Sequence, residues 1–409
     1  MNLAADLPPF HVIAAALRTT TERLVDEVVN PRSTAPDWSN FEWAVARAVC
    51  AMQGISGLLA TRLTWRGPAT FRDFLTHQHA HMLARDAQVG QLLAALDVVL
   101  RDAGIAFIPL KGSAIRELRL HQPGERSQSD VDMLVDPEDL SACAVPLEKL
   151  GYCLSFSSRR HDVYEPTVRA KLPRLGEHLD NALKIEVHTA VAEALPVEPV
   201  DITASLRPEQ RSSGANSYAS LAALMRHTCL HAAGNMRANA MRFIQIYEVA
   251  QLARRMSPAD WSELLGRGAD RTRAWWLFPP FALAARYVPG SVPAHLLAEL
   301  RCQCPRRLRE RYERVSIYEV SWSNLRIPAL PGREWSRTPG DTLRFARSRL
   351  FPSRVALDEL AVSKDAAPQL KQVRWYGASH FERILRWLFT RPPRVQTITA
   401  VSAAVQESA

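Results

Sequence analysis

An α+β fold is what the hydrophobic patterning of this chain predicts, and three observations carry it. Apolar residues recur at helical spacing from residue 10 to about residue 103, the pattern changes to short strands between 104 and 190, and helical spacing returns beyond about residue 200. These runs define an N-terminal helical segment (1–103) that packs on the core, a compact α/β core (104–200) and a larger helical C-terminal domain (201–392). The last stretch (393–409) is small and polar, and is expected to be a disordered tail.

The first segment divides at Pro31 and at the Arg66-Gly67-Pro68 turn into helical patterns over His11–Val29, Phe41–Leu63 and Phe71–Leu100. His77, His79 and His81 alternate within the last of these, and on a helix alternate residues diverge by some 200°, so they read as a solvent-facing stretch rather than a metal site. Gly104 stops the helix. Residues Ile105–Leu110 then read as a short buried strand, Lys111-Gly112-Ser113 as a turn into a helix reaching about Leu120, and residues 121–129 as a polar loop. A second strand, Asp130–Val135, precedes a helix opened by Pro137 and stopped by Gly151. Tyr152–Phe156 and Leu183–Ala190 are the remaining strands. Beyond residue 200 the clearest helices are Leu221–Ala233, Phe243–Met256 and Trp261–Leu265, with proline breaks at Pro279-Pro280, Pro328–Pro331 and Pro352.

Composition narrows the class. A chain of 409 residues, 47% hydrophobic and 23% charged, has ample material for a large core. No segment approaches the roughly 20 apolar residues of a membrane span, and MNLAADLPPF lacks the basic and apolar regions of a secretory signal, so a cytoplasmic location is expected. The six cysteines have neither disulfide-framework nor zinc-site spacing and read as free thiols; Cys302-x-Cys304 is the only close pair. The net charge of +9 is concentrated: from Arg301 onward 20 Lys/Arg face 10 Asp/Glu, while the remainder sums to −1. Such an end attracts RNA, an anionic lipid surface or a phosphorylated substrate, or is a set of solvated helix faces.

The chemistry concentrates on Asp130 and Asp132. At i and i+2 of a strand, both carboxylates leave one face of the sheet, where their repulsion is costly unless a divalent cation bridges them. Upstream, Gly112 permits close backbone approach to a ligand, and the helix start behind it offers unpaired N–H groups to a phosphate. Ser113 adds a hydroxyl and Lys111 a cation. In Leu183–His188 the period-two alternation puts Lys184, Glu186 and His188 on one face and Ile185 and Val187 on the core face; Glu186 is the candidate third carboxylate, with Lys184 and His188 as accessory residues. His227 and His231 have helical zinc spacing, but Thr228 stands where a metalloprotease needs glutamate, and they read as core or cleft histidines.

This pattern resembles the polymerase-β-type nucleotidyltransferase superfamily, marked by a Gly-Ser turn before Asp-x-Asp. It is closer to the bacterial uncharacterised nucleotidyltransferase family, through Lys111-Gly112, Arg126 four residues before Asp130-Val131-Asp132-Met133-Leu134-Val135, Gly151-Tyr152 and Glu186-Val187-His188. Looser similarity extends to Leu230-His231-Ala232-Ala233 and Leu350-Phe351-Pro352-Ser353. Thr189 departs from the family's usual tryptophan, and after Arg242 an aspartate is expected where Gln245 and Glu248 are the nearest residues.

The resemblance implies a mixed sheet flanked by helices and an ATP or other NTP donor. It further implies Mg²⁺, a pair of ions with Mn²⁺ as the alternative, on Asp130, Asp132 and Glu186, with Lys111, Gly112, Ser113 and Arg126 toward the nucleotide. The implied reaction moves a nucleoside monophosphate to an unidentified acceptor hydroxyl on a small molecule, peptide, protein or RNA. Two other classes stay open: a catalytically inactive nucleotide-binding scaffold and a tRNA-modifying nucleotidyltransferase toxin.

Overall fold

A computed structural model describes residues 7–158, 161–167, 175–266, 274–326, 328, 330–354, 357, 378–390 and 393–407. Four helices come first: α1 (Phe10–Val29), α2 (Asn40–Gln53), α3 (Ser56–Arg62) and α4 (Ala69–Asp102). The pattern read as one helix over Phe41–Leu63 is two. Gly54 adopts φ +68°, and the chain bends by 114° between α2 and α3. A reciprocal cap between Ser39 and Glu42 starts α2.

The strands are β1 (Ala106–Pro109), β2 (Asp130–Val135), β3 (Tyr152–Ser157), β4 (His161–Pro166), β5 (Lys184–His188), β6 (Ala192–Ala194), β7 (Pro199–Asp201) and β8 (Gly214–Ala215). Six of them form one sheet in the order β3-β4-β5-β2-β1-β8, while β6 and β7 make a separate hairpin. Pairing is mixed: β2 runs parallel to β5 and antiparallel to β1, and β4 is antiparallel to both its neighbours. Short α5 (Gly112–Glu117) follows β1. The region after Pro137, expected as one helix, breaks into two 3₁₀ turns and α6 (Ala144–Lys149).

Alternation along the strands separates two cores. Val131, Met133 and Val135 of β2, with Ile185 and Val187 of β5, pack under Val89, Leu96 and Leu100 of α4 and Leu147 of α6. The opposite face contributes Leu134 and Ile108 to a much larger core. That core is built by α1–α3, the first turns of α4 and the C-terminal helices α7 (Thr203–Leu206), α8 (Leu221–Arg237), α9 (Phe243–Ala253), α10 (Pro258–Leu265), α11 (Phe278–Tyr287), α12 (Ala294–Gln303), α13 (Arg306–Tyr312) and α14 (Ile317–Val320). The N-terminal and C-terminal helices thus share one interior, in which Ile13 and Leu17 of α1 belong with Phe243 of α9 and Phe281 of α11. The even-numbered face of β2 looks into that junction.

Helices α15 (Pro339–Leu350), α16 (His380–Thr390) and α17 (Val395–Gln406) follow. The last corrects the expectation of a disordered tail. Val401 and Ala404 are fully buried, and Arg47 of α2 donates to the Ala404 carbonyl at 2.5 Å. Small side chains that read as disorder are what let α17 lie close against α2. Residues 408 and 409 fall outside the described residues.

Candidate active site

Strand register builds the site. In the parallel β2–β5 pair Asp132 lies opposite Glu186 and Leu134 opposite His188, and strands stand about 4.8 Å apart, so residues 54 positions apart in sequence meet. One ligand atom from each of Asp132, Glu186 and His188 falls within 4.8 Å of the others, the only such group of three among the described residues. Asp130 stands two residues earlier on the same face, opposite Lys184, and is outside that tight trio. The expected three-acid cluster is therefore drawn around Asp132 and Glu186, with His188 as the closest third group.

The charges do not balance. Asp132 is almost fully buried, yet Lys111 Nζ at 2.8 Å and His188 Nε2 at 2.9 Å from its Oδ1 hold its carboxyl far below the usual range against the cost of burial. Asp130 has no such partner: burial, then the charge of Asp132, pushes it up to about 6. Burial works against the His188 imidazolium, but bonds to Asp132 and to Glu186, at 3.5 Å, prevail and raise its pKa. His161 of β4 pairs in register with His188 and stacks on it, ring centroids 5.0 Å apart. Burial lowers its pKa.

Lys111 reaches Asp132 from a backbone at φ +47°, ψ −115°, a conformation costly for a residue with a side chain. Its N–H donates to the Tyr218 hydroxyl at 3.3 Å, and that oxygen lies 2.7 Å from His227 Nδ1. The Tyr218 hydroxyl thus links the Lys111 backbone to His227. Burial holds His227 well below its ordinary pKa, so it is neutral. His231 is driven down to about 3 by burial, and its Nε2 lies 3.2 Å from Asn235 Nδ2. Both histidines lie on α8, His227 engaged by Tyr218 before that helix and His231 by Asn235 within it.

Gly112 leaves room for Arg126 over the turn. A methyl group there would collide with the Arg126 Nη1, so the guanidinium lies directly over the turn. Arg126 Nε donates to Glu248 of α9 at 2.6 Å, and His121 Nε2 approaches the same carboxylate oxygen at 3.3 Å. Burial opposes the Glu248 carboxylate, but Arg126 and His121 overcome it and hold its pKa down at about 2. Ser113 is fully buried; its Oγ accepts from Gln128 Nε2 at 3.1 Å, and the same amide donates to the Asp130 carbonyl at 2.9 Å, tying the turn to the start of β2. On the far side of Arg126 and Gln128 lies a cavity of about 610 Å³ lined also by Arg116, Arg119 and His121.

The structure thus gathers Lys111, Asp130, Asp132, Glu186 and His188, with Gly112 and Arg126 along one side. Lys184 is not among them: its Nζ lies 2.6 Å from Glu165 Oε1 on β4. Sequence reasoning missed His161, Tyr218, Gln128 and His121. Glu248 was visible as one of two stand-ins for an expected acid after Arg242, without its partners.

A glycine turn into a helix, beside Asp-x-Asp on a central strand of a mixed sheet, is the arrangement of a nucleotidyltransferase. A family model described as uncharacterised nucleotidyltransferase matches residues 39–289, more than half of the chain, and the chain belongs to that family. The matched span holds the whole sheet and every residue of the site; the basic quarter from Arg301 lies beyond it. No curated protein and no solved structure matches the chain.

Proposed function

We infer that the chain transfers a nucleoside monophosphate from an NTP to an acceptor hydroxyl, with Mg²⁺ held by Asp132, Glu186 and Asp130. Mn²⁺ is the alternative ion. The observation that carries this reading is the direct opposition of Asp132 and Glu186 on parallel strands, with His188 close enough to complete a three-atom cluster. The donor set is hard and oxygen-rich, as magnesium requires. An ion pair, when bound, neutralises the triphosphate and favours ionisation of the acceptor hydroxyl.

The chain's own groups supply the rest of the chemistry. The acceptor oxygen bonds to the α-phosphorus as the α–β anhydride bond breaks and pyrophosphate leaves. Asp130, part-exposed on the same face of β2 as Asp132, is the carboxylate placed to receive the proton of the hydroxyl. Gly112 lets the phosphates approach the backbone, and Arg126, with Nε committed to Glu248, keeps Nη2 for a phosphate oxygen. Ser113 acts beside them by holding the turn through Gln128. The cavity beyond carries Arg119 and the Arg116–Asp86 pair on its wall.

One observation favours a second reading. Lys111 and His188 already occupy Asp132, as in an internally compensated scaffold that binds nucleotide without turnover. Incubation with each α-labelled NTP and Mg²⁺, with and without total tRNA, separates the two. Label transfer with pyrophosphate release, absent in Asp132→Ala, is expected; label entering tRNA identifies RNA as the acceptor. Binding with neither label transfer nor pyrophosphate from any NTP leaves the scaffold.

A further inference from the structure

The C-terminal quarter carries an apolar surface that the nucleotidyl-transfer reading does not use. Phe381, Leu385 and Phe389 recur at four-residue spacing and so share one face of α16. All three are exposed, Phe381 at 70% and Phe389 at 83%. Helix α15 adds exposed Leu343, and its end adds Leu350 and Phe351, the last at 75%. The two elements adjoin, since His380 Nε2 lies 3.3 Å from the Leu350 carbonyl. Isolated exposed apolar residues are ordinary, but six large ones on two adjoining helices form a surface that calls for a partner.

Charge identifies the partner. Residues 343–354 and 378–390 contain six arginines (344, 347, 349, 354, 383 and 386) and one acid, Glu382. Arg344 is engaged by Glu198 and Asp341, and Arg386 by Glu382. Among the described residues Arg347, Arg349 and Arg354 are exposed and have no acidic partner. Phenylalanines on one helix face, arginines around them and a helix of only 11 residues match an element that lies in the plane of a bilayer interface. It is too short to cross one, and no single helix among the described residues is long and apolar enough to do so.

We propose that α16 and the end of α15 dock the protein on an anionic lipid surface, Phe351, Phe381 and Phe389 entering the acyl boundary while Arg347, Arg349 and Arg354 meet the headgroups. Neither part suffices alone. The arginines supply attraction that salt screens, and the aromatic rings supply insertion that salt leaves intact.

Co-sedimentation of the full chain with vesicles of equal parts phosphatidylcholine and phosphatidylglycerol tests this. Binding is expected, with at least about tenfold weaker binding to phosphatidylcholine alone and a decline as salt rises. Phe381→Ser with Phe389→Ser is expected to weaken binding by about a hundredfold, from the apolar area each ring would bury. Both side chains are exposed, so the melting temperature should not change. The proposal is overturned if wild type stays in the supernatant, or if the double variant binds as wild type does. A dimer, or an RNA complex, that the double substitution dissolves while vesicles remain unbound overturns it equally. None of these outcomes depends on nucleotidyl transfer.

Discussion

Two buried charge clusters flank the Gly112 turn, and they are solved in opposite ways. Around Glu248 one carboxylate faces Arg126 and His121, and its pKa sits at about 2. Around Asp132 three carboxylates face Lys111 and His188, and the surplus appears on Asp130, raised to about 6. A buried charge that finds its partners inside the fold serves structure, whereas a deficit of positive charge kept at the mouth of a sheet is a place for a cation from outside. Arg126 lies between the two clusters, donating to Glu248 while covering Gly112. The comparison turns on whether these clusters respond differently to substitution and pH.

The largest contrast is in turnover. Asp132→Asn is expected to reduce nucleotidyl transfer by at least ~10³-fold, the scale of losing a central electrostatic group, in a pyrophosphate-release assay. Its stability should fall by less than that of Glu248→Gln, because Asp130 and Glu186 remain as carboxylates beside Lys111 and His188. Glu248→Gln should do the reverse. It leaves Arg126 and His121 without their shared counter-ion and is expected to cost about 3 kcal/mol in urea unfolding, the scale of breaking a buried pair from one side. Equal stability losses in the two variants would erase the distinction between clusters.

The pH dependence separates them by sign. Glu248 has a folded pKa below its unfolded value, so its contribution is complete above about pH 4.5 and is lost as pH falls toward 2. Unfolding of wild type across that window should therefore steepen with acid, and Glu248→Gln should flatten it. A wild-type curve no steeper than the variant's would mean that Glu248 is not held by its neighbours.

Much of the acid cluster was legible because strands alternate with period two. Counting along Asp130–Val135 and Lys184–His188 identifies the faces, and the packing of Val131, Met133, Ile185 and Val187 under α4 follows the same count. What counting does not contain is register between strands 54 residues apart, and hence the choice of His188 over Asp130 as the closest companion of Asp132 and Glu186. β4 escaped because a polar segment surrounds it, which hid His161. Tyr218 and Glu248 belong to the helical region after residue 200, and their approach to Lys111 and Arg126 depends on how the helices dock on the sheet. The tail misled for a compositional reason: Ala403, Ala404 and Val401 look like linker residues until α2 supplies a surface for them.

The smallest expected effect is the most discriminating. Asp130 holds its proton more tightly in the folded chain than in the unfolded one, about 6 against an ordinary 3.8, so metal-free stability declines as pH rises between these values and the carboxylate forms beside Asp132. Asp130→Asn removes that repulsion. Without Mg²⁺ it should raise stability by about 1 kcal/mol at neutral pH, less than the full shift implies because the group is part-exposed and shares its titration with Asp132. The gain should fade below about pH 4, where wild type is also protonated. Adding Mg²⁺ should reverse the order, since binding to the folded chain alone stabilises wild type, whereas the variant's neutral amide offers the ion no negative charge. Thermal melts of both proteins across pH, with and without Mg²⁺, check each arm. A crossing of the two curves on Mg²⁺ addition locates the ion at Asp130, whereas parallel curves would place Asp130 outside the metal site and leave Asp132, Glu186 and His188 to hold it.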